Sequence, residues 1–251
     1  QAKEFILPKE LLEQNCVISL SKMKTHALER ITGAVKNSYG FVYGFHKAKG
    51  HTQYPSADSF ARMLIDLNKC VAPKLYVMDG IVAMEGNGPG SGDPVQMNVM
   101  LMSTDPVALD SVFSRLVYLK PEMVPTNYHG EKMGLGTWKE EEITLLTPDG
   151  EISMSEAVKR YGNPQFNVDR TEVRKNIWTR MAGALNIFQK KPYIEADKCV
   201  RCGICVQSCP VPGKAVDFRK GKGKPPVYDY KKCIRCFCCQ EMCPKKAIKV
   251  K

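Results

Sequence analysis

Five cysteines fall within the eleven residues CIRCFCCQEMC, Cys233 to Cys243. A four-coordinate metal site has no use for a fifth. The comparison that sorts them lies upstream in CVRCGICVQSCP, where Cys199, Cys202, Cys205 and Cys209 precede Pro210. Cys233, Cys236, Cys239, Cys243 and Pro244 repeat that spacing, each 34 residues after its counterpart, so the segment is an internal duplication. Cys238 then stands opposite Ile204, an apolar position, and reads as a small packed hydrophobe. In the spacing C-x2-C-x2-C-x3-C-P, three thiolates converge on one cubane while the fourth turns away to the other cluster. Two [4Fe–4S] clusters are therefore expected. The first would use Cys199, Cys202, Cys205 and Cys243, the second Cys209, Cys233, Cys236 and Cys239. Two structural zincs are the rival use of CxxC pairs, yet zinc needs neither a third cysteine at that spacing nor a trailing proline. Disulfides fit worse still, because they staple small secreted domains and these eight cysteines crowd one end of a larger chain.

A second concentration of chemistry lies near the start, in SKMKTHALERITGAVKNSYG. Lys22, Lys24 and His26 alternate along an extended segment and can point to one side. Lys36, Asn37 and Gly40 follow a short helical run. Ammonium groups and a histidine at the carboxyl end of a strand make an anion site, and ligands dock at that edge of open α/β sheets. The stretch MEGNGPGSGDP adds Glu85 and the glycines Gly86, Gly88, Gly90 and Gly92, whose backbone N–H groups could form a nest. It is neither a Walker A loop, lacking GK[ST], nor a Rossmann fingerprint. Asp105 is expected to cap a helix, with Asp110 one turn on and facing the same cleft. Lys24 and His26 are the candidate catalytic pair; Lys22, Lys36, Asn37, Glu85, Gly86, Gly88 and Asp110 are the candidate binding residues. A solvated lysine loop and a flexible glycine turn are the plainer uses of the same residues. A mononuclear metal on His26, His46 and His51 is weaker, since glycines and lysines surround them rather than carboxylates.

The elements that must hold these groups alternate in type. CVISLS (16–21) and KLYVMDGIVAME (74–85) read as strands, and QMNVMLMS (96–103) alternates weakly. SADSFARMLIDLNKCV repeats apolar residues at the helical period behind Ser56 as N-cap. STDPVALDSVFSRLVYL starts a helix with Asp105 as cap and Pro106 in the first turn. Cys16 and Cys70 fall in these apolar segments and are expected in the core. The pattern indicates an α/β layered domain with a mixed or mostly parallel sheet over residues 1–191. A small α+β two-cluster domain follows over residues 192–251. A helix is expected over 171–189 at the junction, and FRKGKGKPPVYDY reads as a hairpin-like insertion between the cluster motifs.

Residues 193–251 resemble a bacterial-type two-[4Fe–4S] ferredoxin. SKMKTH, TGAVKNSYG, DGIVAMEGNGPGSG and STDPVALD together are similar to the signature segments of the domain of unknown function 362 family, over about residues 5–150. That resemblance implies architecture, since the family name assigns no reaction. It also implies a further N-terminal α/β portion ahead of VISLSKMKTH, so the sheet is expected to lack its first strands.

Charge is uneven. The chain carries a net +11, of which the last 59 residues hold +9, fourteen Lys or Arg against five acids. Two loaded clusters would reduce that to about +5 and keep their potentials away from the extremes of roughly −700 to +450 mV. An acidic redox partner is expected. Nucleic acid is not, because aromatics are sparse between the lysines and no recognition motif appears. No run of about eighteen apolar residues exists, so no membrane span is expected. No basic-then-apolar leader follows Gln1, and reduced cysteines with oxygen-sensitive clusters point to the cytoplasm of an anaerobe. The expectation is an iron–sulfur protein relaying electrons to an α/β domain that binds an anionic substrate or cofactor, as a ferredoxin-type oxidoreductase. The alternative is a non-catalytic carrier or maturation factor whose α/β domain docks a protein.

Overall fold

The structure, a computed structural model, describes residues 2–44, 46–172 and 190–251. It divides into two compact units, Gln1–Asp169 and Arg170–Lys251. The helix expected over 171–189 falls, from residue 173 on, outside the described residues.

After a single-turn helix, α1 (Lys9–Leu12), the N-terminal unit is built on four strands: β1 (Ile18–His26), β2 (Arg30–Thr32), β3 (Leu75–Glu85) and β4 (Asp93–Ser103). Their order is β2-β1-β3-β4. The sheet is mixed, with β1 parallel to β3 and the other two pairs antiparallel. Of the expected mixed or mostly parallel sheet, the mixed form is found, and connection length is the reason. The turn after His26 and the glycine loop after Glu85 are too short for a crossover and can only close hairpins. Only the link from β2 to β3 is long enough to return parallel. It carries α2 (Ala34–Asn37), α3 (His46–Gln53) and α4 (Ala57–Val71).

The caps are those the sequence indicates. Ser56 accepts from the Ser59 N–H in a reciprocal capping box, and Asp105 accepts from Val107 and Ala108 at the start of α5 (Pro106–Leu116). Inward residues of β1, β3 and β4, among them Met23, Met78 and Val99, pack with Leu109, Phe113 and Leu116 of α5. Phe60, Leu64 and Leu67 of α4 form a second core with Val35 and Val107. Between the two runs a polar clamp. Asn68 accepts from Ser38 and Tyr76 hydroxyls and donates to the Val35 and Leu64 carbonyls. The helices α6 (Pro125–Lys132) and α7 (Met154–Tyr161) follow, with a short β5–β6 hairpin (Leu145–Thr147, Gly150–Ile152) between them. Among the described residues, no helix is long and apolar enough to cross a membrane.

Cys16 and Cys70 are exposed, not core. Cys16 lies ahead of the first strand residue, and Cys70 is two helix positions, about 200°, from buried Asn68. The outward face of the sheet is unexpectedly apolar. Leu20, Val77 and Met102 stand abreast in register, with Leu20 73% and Met102 63% exposed, where a solvated face ordinarily carries polar residues.

In the C-terminal unit β7 (Pro192–Ile194) pairs antiparallel with β10 (Ile248–Val250). The expected insertion is a hairpin, β8 (Val216–Asp217) with β9 (Val227–Tyr228). Two single-turn helices, α8 (Ile204–Gln207) and α9 (Cys238–Glu241), each begin inside a cysteine motif.

Candidate functional site

Each cysteine motif puts one of its middle cysteines on a loop and the next on a helical turn. Two cavities result. Cys199, Cys202, Cys205 and Cys243 line the first, together with Ile194 and Pro244. Cys209, Cys233, Cys236 and Cys239 line the second, with Pro210 and Tyr228. These are the two sets drawn from the spacing, including the exchange of the fourth cysteine between motifs. Cys238 lines neither. Its thiol is hydrogen-bonded to the Cys236 sulfur, which holds the Cys238 proton on and favours Cys236 as thiolate. Among the described residues, no group of three or more His, Cys, Asp or Glu is placed to hold a single metal ion. Without metal, burial pushes the Cys205 thiol up to about 11 and Cys239 up to about 12, so loading must displace protons. The Ala215 N–H donates to Cys209 Sγ at 3.3 Å, and Tyr228 Oη lies 3.1 Å from Cys239 Sγ. Burial, then the neighbouring Cys239, pushes the Tyr228 hydroxyl far above its ordinary value, so it keeps its proton.

In the N-terminal unit the expected cleft residues separate into two groups. Glu85, Gly86 and Gly88 are brought to the end of β1. Thr25 Oγ1 donates to the Gly86 carbonyl at 3.0 Å, and a Cβ on Gly88 would lie 2.3 Å from the Thr25 carbonyl oxygen. Only glycine permits that approach. Asn167 anchors the loop, donating its N–H to Glu85 Oε2 at 2.7 Å and accepting from Gly86 N–H at 2.8 Å. Half-buried Lys24 stands in register with Met84, just before this loop. His26 is buried, and its Nδ1 accepts the Leu28 and Glu29 N–H groups, both at 3.1 Å. The ring thus secures the β1–β2 turn, and any proton it passes must leave from Nε2.

Lys22, Asn37 and Asp110 are committed elsewhere. Lys22 sits across a bulge from Lys24 and pairs with Asp79 of β3 at 2.6 Å. Asn37 donates to the Leu20 carbonyl. Asp110 does not face an open cleft: it is buried, and its two oxygens accept the Ala34 and Val35 N–H groups at 2.6 and 3.0 Å. Burial pushes its carboxyl up to about 7 against the pull of those two bonds. Lys36 is half-buried, its charge acting on Glu29. Glu29 is the residue that pattern reading passed over. It is fully buried, neither oxygen has a hydrogen-bond partner, and desolvation raises its carboxyl well above the usual range. A lone acid in a loop offers no sequence signal, and only the fold shows that water is excluded from it. His46 and His51 do not join His26 in a metal site; His51 stacks on Phe60 at 4.4 Å.

Residues 1–115 match the family described as Domain of unknown function (DUF362), and residues 191–244 match the 4Fe-4S dicluster domain. The chain is also 41% identical over 130 residues to a thylakoid-associated protein of Synechocystis sp.. That alignment spans 51% of this chain and 40% of the relative's length.

Proposed function

We propose that this chain, which joins a DUF362 domain to a 4Fe-4S dicluster domain, relays single electrons through two [4Fe–4S] clusters. The observation that carries the reading is the sorting of eight cysteines into two four-cysteine cavities. Each cluster, when bound, supplies one-electron redox chemistry at iron. The chain's own residues ligate, exclude water with Ile194, Val216 and Ile248, and set Arg201 and Lys245 beside the first cluster. Cluster ligation needs reduced thiols, so the reading includes a reducing compartment such as the cytoplasm. Anaerobically purified protein should hold about eight irons and eight sulfides per chain. Cys238→Ala should keep them, whereas Cys209→Ala should damage the second cluster although it lies in the first motif. Loss of iron in Cys238→Ala but not in Cys239→Ala would overturn the ligand sets.

A second element of the reading concerns the N-terminal unit, and the packing of the glycine loop on Thr25 favours it. Lys24 and Lys36 would hold an anionic substrate or cofactor, and His26 would pass a proton from Nε2 as electrons arrive, as in a reductase. Lys24→Ala and Lys36→Ala should weaken inorganic phosphate binding in calorimetry and leave the iron content unchanged. If the unmodified protein binds no phosphate, the domain docks a protein instead, and the chain is a carrier or maturation factor.

A further inference from the structure

The duplication allows the two cavities to be compared position by position. Cys205 corresponds to Cys239, and by the same 34-residue step Ile194 corresponds to Tyr228. The correspondence is structural as well as numerical, since Ile194 lines the first cavity and Tyr228 the second. One half therefore carries an aliphatic side chain where the other carries a hydroxyl 3.1 Å from a ligand sulfur. A sulfur bound to iron has no proton, so in the loaded protein the tyrosine must be the donor.

We infer that Tyr228 makes the two clusters inequivalent, holding the one bounded by Cys209, Cys233, Cys236 and Cys239 at the higher reduction potential. Reduction adds negative charge to the cluster and its thiolates, and a hydrogen bond to a more negative acceptor strengthens. The reduced state is thus favoured wherever the O–H points, and Ile194 gives the first cluster no such term. The same side chain leads outward. Tyr228 stacks on Tyr230 with centroids 5.6 Å apart and planes within 14°. Tyr230 is 38% exposed, donates to the Pro192 carbonyl, and has Lys191 Nζ 5.6 Å from its ring centroid. Electrons settle on the second cluster, next to an aromatic pair that reaches the surface beside a cation.

The inference rests on the two-cluster reading, and the test separates them. A redox titration followed by electron paramagnetic resonance first counts the clusters in the unmodified protein. Fewer than two would end the relay reading itself. With two present, Tyr228→Phe keeps the ring and removes the hydroxyl, so the higher midpoint should fall toward the lower one while iron content stays. Ile194→Tyr should raise the lower midpoint. Should Tyr228→Phe fail to take up iron, 3-fluorotyrosine incorporated into the unmodified sequence strengthens the donor and should raise the higher midpoint alone. An unchanged gap in Tyr228→Phe, or in the fluorinated protein, overturns the assignment.

Discussion

Two buried carboxyls give the N-terminal unit a pH dependence of definite sign. Asp110 is pushed up to about 7, and desolvation raises Glu29 as well. The native state therefore holds protons that the unfolded chain has already shed, and stability falls as pH rises from about 4 to about 7. For Asp110 the linkage is on the order of 4 kcal/mol across that window. Glu29→Gln should flatten the fall in melting temperature between pH 5 and pH 8 relative to the parent protein, because no charge remains to be buried. A variant whose profile matches the parent would mean that Glu29 reaches water. Neither acid was legible for this role. Asp110 lies one turn beyond a cap, where the pattern suits a cleft residue, and periodicity cannot tell an inward polar residue from one facing a ligand. The cysteines were legible because sulfur spacing is itself the geometry of the ligand set.

Short connections explain most of what the elements do. The turn after β1 and the loop after β3 force hairpins, and the four-residue α2 has no cap of its own. Asp110 of α5 supplies that cap across Gly33, where a Cβ would lie 2.0 Å from Asp110 Oδ1 and 2.5 Å from Met78 Cε. Gly33→Ala should push the carboxylate off the Ala34 and Val35 N–H groups and cost about 1–3 kcal/mol, a loss of roughly 3–10 °C in melting temperature. An unchanged melting temperature would show that α2 can shift away at no cost. The strands and the two capped helices were legible, since Ser56 and Asp105 are strong starts followed by periodic apolar residues. The destination of Lys22 was not. Its pairing with Asp79 depends on the register of β1 against β3, which no local pattern encodes.

On the scale of the whole molecule, charge and ligation are both unevenly shared. Of the net +11, the last 59 residues hold +9, and there Lys220, Lys222 and Lys224 stand exposed between β8 and β9. With an acidic partner, electron transfer should slow steeply as salt rises, since screening shortens the reach of surface charge to about 8 Å at physiological ionic strength. Replacing the three lysines with glutamine should flatten that slope in stopped-flow kinetics; a flat slope in the parent would leave the charge as a solvated face. The crossed cysteines carry a mechanical consequence. Cys209 lines the cavity of the second motif and Cys243 that of the first, so each half of the duplication reaches into the other. With clusters held by those sets, the halves would be clasped by inorganic rivets, and the exposed lysine-rich connection between them would become dispensable as a tether. Protease nicking there should leave two fragments that travel together through gel filtration and come apart only when the iron is stripped.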